Sequence, residues 1–210
     1  MARGVRLTLA ARLHAQRAWL ALAALLVAGT FIGWTLPSAS IDWQPERALE
    51  QPWRLWSAAF AHWSVRHLAA NLAGCAVVAT FGVAAQVPGR AALAWFLAWP
   101  LTHAALALRP DLASYGGMSG VLHAGVSVAA WHLAWHDRGR RRALGVAVLL
   151  GTVAKLLLER PWGPALVRMP EWDFAVAPLA HLTGALAGVL CSVAVTLGWP
   201  RPTDRRPSPP

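Results

Sequence analysis

One serine and one histidine stand out as residues that could carry out chemistry, because each lies inside an apolar stretch. Ser119 lies in the sequence GGMSG, and His181 lies in the sequence AHLTG. Polar side chains inside apolar spans are costly, so they are functional candidates by default. A serine hydroxyl is a weak nucleophile until an adjacent base takes its proton, and a neutral imidazole is the usual base. The pair therefore predicts acyl transfer, with Ser119 as the nucleophile and His181 as the base.

Glycines around both residues favour this interpretation. Gly117 and Gly120 let a substrate backbone approach the serine closely, and the unpaired amides at a helix start can stabilise an oxyanion. Gly184 and Gly188 form a Gly-x-x-x-Gly face, which allows two helices to pack closely enough for a serine–histidine hydrogen bond. Two plainer roles stay open at this point. The serine can be a helix N-cap, and the histidine can be a buried hydrogen-bonded group.

A second histidine precedes an asparagine by four residues in HLAAN, so His67 and Asn71 share one helix face. Both side chains can donate hydrogen bonds to an oxyanion, although a bond to a neighbouring helix is the plainer role. A zinc site is an alternative, since His62 lies close by in the sequence. There is no H-E-x-x-H motif and no acid deep in a predicted span, so we expect neither a metal nor another cofactor. We likewise expect a catalytic dyad without a third, acidic residue.

The composition places these residues in a membrane protein. Hydrophobic residues make up 57% of the 210 residues and charged residues only 13%, about half the share that is typical of soluble proteins. The apolar residues form long blocks, and about 20 such residues cross a bilayer core as a helix. The net charge of +10 does not indicate a nucleic-acid partner, because the arginines lie between apolar blocks and at the termini. The 13 tryptophans favour anchoring at the membrane surface.

The apolar blocks predict an all-α membrane protein, a bundle of six transmembrane helices. The expected helices are 18–36, 66–86, 91–108, 119–135, 143–158 and 174–197. They form one membrane domain at residues 18–198, between a basic amino-terminal segment at 1–17 and a disordered tail at 199–210. A tryptophan-rich amphipathic segment at 53–65 is expected to lie at the membrane surface.

The distribution of arginines predicts the orientation. With six spans and the amino terminus inside, twelve arginines face the cytoplasm and six face outward, in keeping with the positive-inside rule. Both termini are therefore expected in the cytoplasm, in a bacterial inner membrane. The helix at 174–197 then starts outside, which puts His181 about 10 Å below the outer surface at 1.5 Å per residue. Ser119 is expected at a similar depth, with the active site opening to the outer side.

Three motifs, in their order and spacing, resemble those of the rhomboid family of intramembrane serine proteases. The motifs are HWSVRHLAANLAG, GGMSG and AHLTGALAG, and the resemblance covers residues 53–188. It implies a nucleophile at Ser119, its base at His181, and oxyanion donors at His67 and Asn71. Rhomboids often carry a tyrosine four residues after the serine, packed on the histidine. Here that position is His123.

With this departure and its short length, the chain is most similar to the rhombosortases within the family. That subfamily is associated with removing C-terminal sorting tails made of a Gly-Gly motif, an apolar helix and a basic cluster. The resemblance therefore implies membrane-anchored substrates with C-terminal transmembrane tails, held in the lipid bilayer.

Three alternatives stay open: a general rhomboid protease with other single-span substrates, a catalytically inactive helix-binding protein, and a small transporter. Intact Ser119 and His181 argue against the inactive protein. The transporter needs polar residues along a path, and Lys155, near the outer end of the fifth predicted helix, is the only other deep charge.

Overall fold

The computed structural model of the protein describes residues 16–198, and most of these residues are helical. Eight α-helices lie within this range: α1 (Arg17–Trp34), α2 (Ser38–Ile41), α3 (Arg54–Ser57), α4 (Val65–Ala85), α5 (Gly89–Ala104), α6 (Ser119–His136), α7 (Gly139–Glu159) and α8 (Pro178–Gly198). Short 3₁₀ helices occupy Pro45–Arg47, Ala58–Phe60 and Ala105–Leu108. The predicted tail at 199–210 and nearly all of the basic segment at 1–17 lie outside the described residues.

Six of these helices are 16 to 21 residues long, whereas α2 and α3 are single turns. Four stretches are long and apolar enough to cross a membrane: Arg17–Trp34, Val65–Ala85, Gly89–Leu108 and Pro178–Gly198. Helices α6 and α7 are less apolar, because histidines interrupt α6 and charged residues interrupt α7. The mostly helical membrane architecture agrees with the prediction, while the count of six spans stays a prediction.

Helix α6 lies at the centre of the bundle and packs against α4, α5, α7 and α8. Tryptophans fill much of the surrounding core. The ring centroid of Trp19 lies 4.4 Å from that of Trp95, and the Trp95 indole donates to the carbonyl oxygen of Val121 in α6. Trp43 and Trp99 are also buried. For these four tryptophans the expected role of surface anchor is wrong, because their large rings fill core volume instead.

The last helix begins at Pro178, four residues later than predicted. Proline fits the first turn of a helix and biases the preceding residue towards extended backbone. The residues before it form strand β2 (Ala175–Val176), which pairs antiparallel with β1 (Val167–Arg168). This short hairpin departs from the all-α prediction. It also leaves His181 in the first turn of α8, only about 5 Å along the helix at 1.5 Å per residue, so the helix start from which the depth was counted is wrong, and the depth below the outer surface stays a prediction.

The segment before α4 is partly packed into the protein. The guanidinium Nη1 of Arg54 lies 3.0 Å from Oδ1 of Asp42, and both side chains are buried. Because Arg54 is buried, the expectation that residues 53–65 lie at the membrane surface does not hold for that side chain. Trp53, Trp56 and Trp63 of the same segment remain exposed.

The basic loop between α6 and α7 lies against the carboxyl end of α4. Arg141 donates to the carbonyl oxygens of Ala84 and Ala85 at 3.2 and 2.8 Å, and it forms an ion pair with Asp137 at 2.9 Å. The guanidinium therefore satisfies carbonyl groups that a helix end leaves without partners. Since α4 and α6 both begin at the other end of the bundle, the residues at their starts lie far from this loop.

Candidate active site

A glycine in the left-handed region sets the start of α6 and thereby the position of Ser119. Gly117 has a φ of +106°, and its amide donates to the carbonyl oxygen of Ala58 at 2.9 Å. A Cβ at this position would also collide with the ring of His67. The helix begins at Ser119 itself, after the cap residue Met118. The serine is therefore not the N-cap, and its hydroxyl faces the neighbouring helix α8.

Ser119 and His181 form a hydrogen bond between α6 and α8. The serine Oγ lies 3.0 Å from the imidazole Nε2. The close approach depends on glycine, because a Cβ on Gly184 would collide with the carbonyl oxygen of Gly120. One turn later, Gly188 makes the same kind of contact with the backbone of α6. The two small-residue faces thus lie directly against each other, which brings the two polar side chains within bonding distance.

A second imidazole flanks the ring of His181. The centroid of the His123 ring lies 4.2 Å away, and the two planes are 18° apart. The Nδ1 of His123 lies 2.7 Å from the carbonyl oxygen of Ser119. Since a carbonyl oxygen only accepts, Nδ1 must carry the hydrogen, which fixes the tautomer and the plane of this ring. His123 therefore holds one face of His181.

An acidic residue that the sequence analysis does not predict lies beside His181. Glu159, the last residue of α7, has its Oε2 2.8 Å from Nδ1 of the histidine. Its Oε1 accepts a hydrogen bond from Lys155 at 2.5 Å. The geometry therefore differs from the expected dyad without a third, acidic residue. The four-residue spacing from Lys155 to Glu159 is a sequence signal for the pairing of these two side chains, but it does not point to His181.

His67 and Asn71 line the same cavity as the serine–histidine pair. The side-chain amide of Asn71 donates to the carbonyl oxygen of His67 at 3.0 Å, which leaves its second N–H for another acceptor. The ring of His67 stacks between Trp63 and Phe174, with centroid distances of 5.6 and 4.1 Å. This stacking fixes the ring plane, so both side chains are held in place at the cavity wall.

Tyr115 is a further polar residue at this site, and the sequence analysis gave it no role. Its hydroxyl donates to the carbonyl oxygen of Gly117 at 3.1 Å, lies 3.5 Å from Oγ of Ser119, and faces the amide of Gly120 at 3.4 Å. Burial raises the pKa of Tyr115, so the hydroxyl keeps its proton near neutral pH. Its backbone pairs with Trp43 through two hydrogen bonds of 2.7 and 2.9 Å, which anchors the loop before the serine.

These side chains surround a cavity of about 720 Å³. Its walls are largely apolar and include Trp63, Leu122, Leu166, Trp172 and Phe174. A mostly apolar cavity of several hundred Å³ with a few convergent polar groups is typical of a ligand-binding site. The hairpin of β1 and β2 contributes to its wall, so the loop between α7 and α8 forms part of the site.

The zinc alternative involves His62 and His67. Their ring centroids lie 4.7 Å apart, but Nδ1 of His62 lies 3.1 Å from the carbonyl oxygen of Phe60. Burial lowers the pKa of His62. Within residues 16–198, no group of three or more His, Cys, Asp or Glu side chains is arranged to hold a metal ion.

Comparison with known proteins supplies a family match. The sequence model of the Rhomboid domain matches residues 49–197, more than two thirds of the chain. The matched range contains Ser119, His181, His67, Asn71 and Glu159. No curated protein is a significant match to the chain.

Proposed function

Because the chain belongs to the rhomboid family of intramembrane serine proteases and is an integral membrane protein, we propose that it cleaves a peptide bond near the outer end of a substrate transmembrane helix. Ser119 and His181 are the catalytic residues of this proposal. The observation that carries it is the 3.0 Å separation between Oγ and Nε2 beside a cavity of about 720 Å³. A nucleophile within hydrogen-bond reach of its base is the geometry that serine acyl transfer needs.

The first half of the proposed reaction forms an acyl-enzyme. Oγ of Ser119 attacks the peptide carbonyl carbon, its proton passes to Nε2 of His181, and the carbonyl electron pair moves onto oxygen. Collapse of this tetrahedral species breaks the C–N bond. The departing amine takes the proton from His181, and the amino-terminal part of the substrate remains as an ester on Ser119.

The second half is hydrolysis of that ester. Water attacks the ester carbonyl and gives a proton to His181. The second collapse returns the proton to Oγ of Ser119 and releases the new carboxyl terminus. In both halves His181 must begin with Nε2 unprotonated, so its hydrogen lies on Nδ1.

We propose that His67 and Asn71 donate hydrogen bonds to the oxyanion. The unused N–H of Asn71 and the fixed ring plane of His67 support this role, because donors that are already oriented need no reorganisation during the reaction. Both side chains line the cavity that also contains Ser119. His123 is proposed as the ring that supports His181, with Gly117, Gly120, Gly184 and Gly188 permitting the close backbone approach.

The finer proposal is a rhombosortase, which removes C-terminal Gly-Gly sorting tails from exported proteins. A scissile bond must be presented in extended form, because a helix shields its own carbonyl groups. Glycine costs a helix about 1 kcal/mol relative to alanine, so a Gly-Gly pair unwinds easily. A tail of this kind therefore suits a site that receives an extended segment next to a transmembrane helix.

The test uses a reporter whose carboxyl end carries a Gly-Gly motif, one apolar helix and a basic cluster, expressed with this protein. Wild-type protein should release the soluble part, and Ser119→Ala and His181→Ala should each abolish release while the protein stays inserted. The double variant should be no worse than either single one, because the two residues act as a unit. Release of the reporter by the Ser119→Ala variant would rule out the serine mechanism. If the wild-type protein released no single-span reporter, an inactive helix-binding protein would be favoured.

A further inference from the structure

The carboxylate of Glu159 completes a hydrogen-bonded chain of four side chains. It runs from Ser119 through His181 and Glu159 to Lys155, with atom separations of 3.0, 2.8 and 2.5 Å. The side chain of Glu159 is 14% exposed and that of His181 7% exposed, so the central contact is largely shielded from water. Lys155 is the member of this hydrogen-bonded series farthest from Ser119, and its side chain is 48% exposed.

We propose that Glu159 is a positioning residue for the serine–histidine pair, so that the site is a triad rather than a dyad. This proposal rests on the proposed function, because it assigns a role within the same reaction. The carboxylate of Glu159 contacts Nδ1 of His181, whereas Oγ of Ser119 contacts Nε2 of the same ring. It acts on the imidazole of His181, and through it on Ser119.

The first part of the argument concerns the tautomer of His181. To accept the serine proton, Nε2 must be free, and the single hydrogen of the neutral ring must sit on Nδ1. A carboxylate oxygen at 2.8 Å accepts from Nδ1–H and cannot donate, so it selects that tautomer. The same bond fixes the rotation of the ring, while His123 at 4.2 Å limits its tilt.

The second part concerns the charge that develops during attack. When His181 takes the serine proton, it becomes an imidazolium, and the adjacent carboxylate stabilises that charge. Such an interaction is stronger in a shielded site than in water. The acid stays ionised in this role, and no proton needs to pass to it.

The third part concerns Lys155, which can only donate. Its ammonium group holds Oε1 of Glu159 and thereby directs Oε2 at the histidine. This arrangement makes an unusual prediction for Glu159→Gln. The amide oxygen must face the ammonium group, so the amide NH₂ faces Nδ1 of His181. The histidine then has to carry its hydrogen on Nε2, where it blocks acceptance of the serine proton.

The experiment measures the rate at which a fluorophosphonate probe labels Ser119 in the detergent-solubilised full chain. In this reaction the Oγ–P bond forms, fluoride leaves and His181 takes the proton, so no substrate is needed. We expect Glu159→Gln to slow labelling about 10³–10⁴-fold, as the wrong tautomer does in other serine hydrolases. Glu159→Ala leaves both tautomers accessible and should slow labelling less, by about 10–100-fold, the range found when a metal-binding histidine loses its orienting partner.

The decisive variant is Glu159→Gln combined with Lys155→Met. Without the ammonium group the amide can rotate and offer its oxygen to Nδ1, so labelling should recover at least tenfold over Glu159→Gln alone. Lys155→Met by itself should change the rate less than about tenfold, because a half-exposed ion pair contributes little. Glu50→Gln, at an exposed position far along the chain, is the matched control and should label like the wild type.

A purely structural role for Glu159 gives the opposite order. The isosteric Gln variant would then label nearly as fast as the wild type, the Ala variant would be the slower one, and removal of Lys155 would not rescue it. That result overturns the proposal. Thermal unfolding of each variant identifies any loss of fold. If the wild type and Ser119→Ala label alike, the proposed function itself fails, which is distinct from failure of the triad alone.

Discussion

At the scale of single residues, the hydroxyl of Ser119 has two possible acceptors and only one proton. Oγ lies 3.0 Å from Nε2 of His181 and 3.5 Å from Oη of Tyr115. The proton of Tyr115 is already donated to the carbonyl oxygen of Gly117 at 3.1 Å. The shorter contact favours donation from the serine to the histidine, which is the arrangement that nucleophilic attack requires. Tyr115 then acts as a fixed neighbour that limits the rotation of the serine side chain.

The proposed oxyanion donors give a prediction at the same scale. His67→Ala and Asn71→Ala should each lower the rate of reporter cleavage about 10²–10³-fold, the usual loss for one such donor. Cleavage should not stop, because the other donors remain. Thr80→Ala is the matched control on α4, since its hydroxyl bonds only to its own helix at 2.8 and 3.0 Å. Unchanged rates in both variants with a good reporter would show that neither side chain binds the oxyanion.

At the scale of helices, the contact between α6 and α8 explains how Ser119 and His181, which are distant in sequence, become a hydrogen-bonded pair. The Gly-x-x-x-Gly face of α8 was readable from the sequence, because small residues at that spacing allow backbones to touch. The predicted start of α8 was wrong. The apolar residues begin at Phe174, so the β2 strand before Pro178 could not be distinguished from the helix in the sequence. Local patterns thus predicted the packing face but not the helix boundary.

The same distinction separates the site residues that the sequence predicts from those it does not. Ser119, His181, His67 and Asn71 lie in short motifs whose spacing carries the information. Glu159 reaches His181 only because α7 ends beside the start of α8, a tertiary contact with no local signature. A single acid at a predicted helix end is indistinguishable in sequence from an ordinary interfacial charge.

A pair of glycine substitutions tests the α6–α8 contact. Gly184→Ala puts a Cβ against the carbonyl oxygen of Gly120, and backbone cannot yield as a flexible side chain does. We expect a loss of stability of about 1–3 kcal/mol, as for other overpacked sites, with slower cleavage. Gly151→Ala in α7 is the control, because its Cβ meets nothing within 4 Å. Its melting temperature should rise slightly or stay constant, since alanine favours helix over glycine.

Thermal unfolding in detergent, followed by circular dichroism, provides the measurement for both variants. The two substitutions add the same single methyl group to a helical glycine, so helix propensity alone predicts equal shifts. Shifts of opposite sign support the close contact. Equal changes in melting temperature for the Gly184→Ala and Gly151→Ala variants would contradict it.

At the scale of the whole molecule, Ser119 and the basic loop lie at opposite ends of the bundle. Helix α6 carries Ser119 at its start, and it ends immediately before the loop that holds Arg138, Arg140, Arg141 and Arg142. An 18-residue helix rises about 27 Å, close to the thickness of a bilayer core. If the arginines mark the cytoplasmic side, the cavity opens towards the outer side.

This orientation predicts the location of reporter fusions. A fusion at Arg140, in the basic loop, should report the cytoplasm, and a fusion at Pro164, in the loop between α7 and α8, should report the outer compartment. The physical reason is that α7 lies between the two sites and its 21 residues rise about 32 Å, which matches the thickness of a bilayer core, although α7 is less apolar than the four candidate spans. The same compartment for both fusions would rule out six spans and the proposed orientation together.

The choice of substrate is also a property of the whole molecule, because it depends on which end of the bundle holds the cavity. A substrate whose single helix follows its soluble domain enters with its carboxyl terminus in the cytoplasm, where a basic cluster is retained by the positive-inside rule. The residues just before that helix then lie on the outer side, near the proposed position of Ser119. A Gly-Gly pair there supplies the extended segment that the site needs.

The corresponding prediction concerns the proteins that a cell exports. When Ser119→Ala replaces the wild-type protein, exported proteins with a Gly-Gly motif, an apolar helix and a basic cluster at their carboxyl ends should stay membrane-bound and full length. Quantitative mass spectrometry of the membrane and secreted fractions measures this, and the released proteins of the wild type should end near the Gly-Gly motif. Secreted proteins without such tails are the internal control and should be unaffected. If the proteins that accumulate uncut instead carry amino-terminal or internal membrane helices, the chain is a general rhomboid protease, because its site then accepts unwound segments without regard to the position of the helix in the substrate.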